Sequence, residues 1–126
     1  MKLREDAFYP SGQSGGGVAL KLKQLLELPG VRGAVTFTHK GEMDSYRGQI
    51  SQDHARMAAH MCASNSAMVQ MQARLFGDYS GQPEWKGYQG WTMLGPELGV
   101  VVVGDTMCFL DRKEASLNQV VAALEK

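Results

Sequence analysis

Apolar residues recur along this chain with two periods, and the switches between them divide it into helices and strands. Val18, Leu22, Leu25 and Leu26 fall at helical spacing while Lys21, Lys23 and Gln24 point elsewhere, which predicts an amphipathic first helix ended by Pro29-Gly30. Residues 31–38 are rich in β-branched and aromatic types and place Val31, Gly33, Val35 and Phe37 on one face of a strand. A turn at residues 39–42 leads to a polar return strand over residues 43–48, whose Asp44 and Arg47 suit a sheet edge. Ser51 is a good N-cap for a long helix over residues 52–76, free of proline and glycine until Gly77 opens a loop reaching Pro83. Trp85, Gly87, Gln89, Trp91 and Met93 then alternate with their neighbours and predict a third strand over residues 85–94. Residues 99–103 and 106–110 flank Gly104-Asp105 and read as a hairpin with a primed turn. Unbroken valine in the first of these two strands predicts burial on both faces, and so helices on both sides of the sheet. Asp111 and Glu114 form a capping-box-like start to a terminal helix with a Leu117, Val120, Val121, Leu124 stripe. The predicted order is αββαβββα, an α+β domain.

Within this pattern, the run Leu25-Leu26-Glu27-Leu28-Pro29-Gly30-Val31-Arg32-Gly33-Ala34 leads into a strand and a glycine turn. In this run and in its element order the chain resembles the roadblock family of dynein light chains and its bacterial relatives, over about residues 18–125. The resemblance implies a roadblock/profilin-like, five-stranded antiparallel sheet with the first and last helices on one face and the long middle helix on the other. It also implies a homodimer joined through the middle helices and third strands. Small Ras-like GTPases, motor complexes and membrane-linked signalling assemblies are the partners it brings into view, although a partner is not inherited with a fold. The glycine-rich start and the tryptophan-bearing strand are not features of the eukaryotic light chains and point to a prokaryotic branch.

Composition narrows the function classes. The 126 residues are 44% hydrophobic and 21% charged, ordinary for one globular domain. Thirteen basic residues balance thirteen acidic ones, so no long-range field gathers phosphates, and no basic stripe marks a nucleic-acid face. The longest aliphatic run, residues 100–103, is far short of the roughly 20 residues of a membrane helix. The N-terminus mixes charges where a signal peptide would be apolar, so the expected location is cytoplasmic. Residues 1–17 end in Ser14-Gly15-Gly16-Gly17 and read as a flexible arm ahead of a domain over residues 18–126. Gly12 and Gly17 have the separation of phosphate-loop glycines, but Val18-Ala19 stands where that loop carries lysine and a hydroxyl.

Candidate chemistry is sparse. His54 and His60 are about 120° out of phase on the long helix and His60 and Cys62 about 160°, so none of these pairs presents a shared metal face. Cys62 and Cys108 sit in apolar surroundings without a cation run and read as free, buried thiols. No catalytic residue, metal ligand or cofactor site is therefore assigned. The unusual feature is a stripe of Met57, Met61, Met68 and Met71, continued by Leu75 and interrupted by Ser64, beside a second apolar line of Ala58, Cys62, Val69 and Phe76. A helix apolar over more than one narrow face can cover a sheet and also meet a partner, and methionine adapts well to partner surfaces. Together with Trp85 and Trp91, these methionines are the candidate interface. The reading is a non-catalytic, dimeric interaction or scaffold module, with regulation of a small Ras-like GTPase or a signalling assembly in view. A small-ligand sensor or a thiol- or metal-dependent enzyme with a pocket invisible in sequence is the alternative.

Overall fold

The computed structural model describes residues 15–126. In chain order they form α1 (Gly15–Leu26), β1 (Val31–Phe37), β2 (Met43–Gly48), α2 (Gln52–Ser80), a 3-10 turn (Pro83–Lys86), β3 (Gly90–Leu94), β4 (Leu98–Val103), β5 (Thr106–Asp111) and α3 (Leu117–Leu124). The strands make one antiparallel sheet in the order β2-β1-β5-β4-β3, which leaves β2 and β3 as its edges. This is the expected αββαβββα architecture, with the polar β2 at an edge.

Each face of the sheet has its own core. On one, Leu22 and Leu25 of α1 and Val120 and Leu124 of α3 close over Ala34, Val101, Cys108 and Leu110. On the other, Val35, Phe37, Val102 and Met107 meet Ala55, Ala58, Ala59 and Cys62 of α2. Neighbouring Val101 and Val102 thus belong to opposite cores, as unbroken valine predicts for a strand covered twice. The core face of α2 is built almost wholly from small residues, so this helix seats through close approach rather than through bulky knobs.

Several boundaries differ from expectation, each for a local reason. Residues 1–14 of the expected arm lie outside the described residues, while Gly15, Gly16 and Gly17 form the first turn of α1 rather than arm. The helix is held downstream by Leu22 and Leu25, and its first N–H groups need no helical acceptor. Gly77 does not end α2. It is buried where an added Cβ would stand 3.1 Å from Lys86 Cγ, and one glycine costs a helix only about 1 kcal/mol. The helix stops at Gly81, whose φ of 72° supplies the left-handed cap and whose N–H donates to Gly77 O at 3.2 Å.

The third strand is also shorter than its alternation suggests. Pro83 opens the 3-10 turn, Gly87 N–H donates back to Glu84 O at 3.0 Å, and Trp85 lies in that turn, so the two tryptophans do not share a strand. In β1 the pairing with β5 shifts between Val31 and Gly33, and Val31 joins the α1–α3 core rather than lining up with Val35 and Phe37. The cap of α3 is Ser116, whose hydroxyl accepts from Gln119 N–H at 3.2 Å. Asp111 instead ends β5, where Arg32 Nη2 donates to it at 2.7 Å and Lys113 N–H at 2.9 Å. The Arg32 contact and the Lys113 N–H together hold its carboxyl below the usual carboxylate range.

Candidate functional site

The residues of α2 divide by direction. At about 100° per residue, Met57, Met61, Met68, Met71 and Leu75 fall within about 80° of one another, away from the face of Ala55, Ala59 and Ala73 that meets the core. Their exposure shows the consequence: Met57, Met61, Met68 and Met71 are 51%, 52%, 55% and 46% exposed. None of the four is a core residue of the single chain, so much of the apolar bulk of the helix lies outside its own core.

α2 lies mainly over β1 and β2, and beside it the α2-facing side of β3, β4 and β5 is only partly covered. The result is a groove of about 520 Å³ between Met57, Met61 and Met68 on the helix and Met93, Val100 and Phe109 on the sheet. Trp91 stands at its wall, its indole N–H donating to Ser66 Oγ at 2.8 Å, which ties β3 to the middle of α2. Met71 and Trp85 do not line this groove. Trp85 stacks at a 32° tilt on Phe76, with ring centroids 5.3 Å apart, at the far end of α2. Of the six residues expected together, Met57, Met61, Met68 and Trp91 therefore share one depression, Met71 continues their stripe, and Trp85 belongs elsewhere. The contributions of Met93, Val100 and Phe109 escape sequence reading, since a half-covered valine strand carries the same residues as a fully covered one; alternation with Trp91 was the available signal for Met93.

Groups with chemical potential are quiet. Among the described residues no three His, Cys, Asp or Glu side chains form a metal-holding group. Both cysteines are free and buried, and burial pushes the Cys62 thiol up to about 11 and that of Cys108 up to about 12, Lys21 drawing the latter slightly down. Thiols so protonated are poor nucleophiles at neutral pH. Iodoacetamide at mildly alkaline pH should therefore leave the folded chain unlabelled and modify both cysteines after denaturation; rapid native labelling of Cys62 by mass spectrometry would make it a reactive thiol. Unfolded, the same thiols ionise near 9, so the unfolded state loses protons first. The stability they contribute is complete below pH 9 and falls as the pH rises through 9 towards 11 and 12, a trend that urea midpoints on either side of pH 9 measure.

Among the described residues no helix is long and apolar enough to cross a membrane. Solved structures with the same fold include the gliding protein MglB of Thermus thermophilus, with a TM-score of 0.73 and 20% identity over 93% of this chain and 90% of that one. An MglB with a tetrameric arrangement gives a TM-score of 0.72 and 22% identity over 93% and 89% of the two chains. A Roadblock/LC7 domain from Streptomyces avermitilis gives 0.65 and 13% over 84% and 87%. The fold is thus roadblock-like. A search of curated proteins found no match. Residues 21–126 match the profile of an uncharacterized conserved protein family, DUF2173.

Proposed function

The chain belongs to the DUF2173 family, and from that premise and its roadblock-like fold we propose that it is a non-catalytic, dimeric interaction module of the cytoplasm that regulates a small Ras-like GTPase. The observation that carries the reading is the half-exposed methionine stripe of α2. Met57, Met61, Met68 and Met71 are arranged almost symmetrically about Ser64, at distances of seven and three residues before it and four and seven after. Two such helices crossing antiparallel at Ser64 bring Met57 near the partner's Met71 and Met61 near the partner's Met68. The small Ser64 at the two-fold axis permits close approach, and each partner helix falls beside the open groove of the other chain. An MglB of the same fold is described with a tetrameric arrangement, which supports self-association as a use of this scaffold. The GTPase is the partner class that the roadblock resemblance implies.

Light scattering should return the mass of two chains at micromolar concentration. Capture on the purified protein, from extract of the native source loaded with a non-hydrolysable GTP analogue or with GDP, should return a protein with a GTP-binding domain in one nucleotide state. A single-chain mass independent of concentration would reject the dimer, and no such GTPase in either state would reject the regulatory role.

A further inference from the structure

A second cavity, of about 490 Å³, opens where the C-terminal half of α2, the 3-10 turn and the start of β3 meet, with α3 contributing on its far side. Its volume lies in the range of small-molecule sites. Four of the chain's ten aromatic residues line it: Phe76, Trp85, Tyr88 and Trp91. Glu84 borders it on the α2 side and Glu125 on the α3 side, and among the described residues no lysine, arginine or histidine lines it. The nearest candidate cation by sequence, Lys86, is engaged with Asp78, its Nζ lying 2.8 Å from Asp78 Oδ1. Two features pre-form the walls. The Phe76 and Trp85 rings are stacked with centroids 5.3 Å apart, and the Trp91 indole is anchored on Ser66.

We propose that this cavity binds a small alkylated ammonium compound, the chemistry of choline and its relatives. The aromatic rings and the carboxylate of Glu84, in the same turn as Trp85, both favour a positive charge. An alkylated ammonium fits better than a primary amine or a guanidinium, because those groups would surrender strong hydrogen bonds to water and find few acceptors among indole and phenyl rings. The cavity is a recess between elements, and a free small molecule suits it better than a flat peptide face would. This site goes beyond the interaction module: it shares Trp91 with the wall of the methionine groove but rests on Trp85, which stands apart from that groove, so its failure leaves the dimer untouched.

Both tryptophans of the chain line this cavity, so their fluorescence reports directly on its occupation. Choline titrated into the full chain should change the emission saturably. Its uncharged carbon isostere, 3,3-dimethylbutanol, should bind about tenfold more weakly or worse, and Trp85→Leu should weaken choline binding by about tenfold, with Trp91 still reporting. Trp85 is 48% exposed, so that variant should keep the parent circular dichroism; should it not, Glu84→Gln on the exposed turn serves the same purpose through loss of charge. No saturable response, equal affinity for the uncharged isostere, or undiminished choline affinity in the folded variant would overturn the proposal. Binding of a trimethyllysine peptide where choline fails would overturn it in favour of a protein ligand.

Discussion

Met68→Glu will leave a folded chain of half the assembly mass. Met68 is 55% exposed in the single chain and stands on the outward stripe of α2, so its replacement removes no intramolecular core contact and the far-UV circular dichroism should match that of the parent. In the proposed dimer each substitution acts twice across the two-fold axis, and the new carboxylates would face the apolar Met61 side of the partner. Burying such unpaired charge in an interface costs about 2–5 kcal/mol per event, which weakens association by roughly a thousandfold or more. Sedimentation or light scattering across a concentration series reads the change. An unfolded variant would place Met68 in the core, and an unaltered dimer of unaltered stability would remove it from the contact surface.

The second large effect concerns the backbone. Gly30 follows Pro29 between α1 and β1 with φ of 81°, and an added Cβ would lie 2.5 Å from Ala115 N and 2.8 Å from Ala115 Cα. The turn between β5 and α3 therefore fills the space where a side chain would go, and Asp111 N–H donates to Gly30 O at 2.7 Å across the same junction. Gly30→Ala must pay the left-handed penalty and also displace main chain, a combined loss of about 3 kcal/mol or more. Gly81→Ala is the matched control. Its φ is 72° but nothing lies within 4 Å of its Cβ position, so only the conformational penalty of about 1–2 kcal/mol applies. Urea midpoints at fixed slope should separate the two variants; equal losses would show that the contact with Ala115 is easily relieved.

Gly30 also illustrates how much of the molecule was legible beforehand. Proline followed by glycine predicted a helix stop and a reversal, and both are present, but the crowding from Ala115 is long-range and leaves no local trace. Periodicity located every helix and strand because each buries a face against the sheet. It failed where packing, rather than alternation, sets direction: at Trp85, which turns back onto Phe76, and at Val31, which a register shift moves to the opposite core. The helix stop after residue 76 failed because a lone glycine signals an end and a close packing contact alike, and Lys86 decides between them only in three dimensions. The methionine stripe was visible as a pattern, yet its exposure was not, since a helix apolar on several sides offers no label for the side its own sheet will take. Alanine at the core face resolves that ambiguity.

That alanine-inside, methionine-outside arrangement separates two inheritances carried by one helix. Stability of the single chain is written in Ala55, Ala58, Ala59 and Cys62, whereas the outward surface is written in Met57, Met61, Met68 and Met71, and the two sets share no residue. Substitutions that retune the outer set leave the seat of the helix on its sheet unchanged. A lineage carrying this helix is accordingly free to exchange one outward surface for another by single steps, each passing through a folded protein.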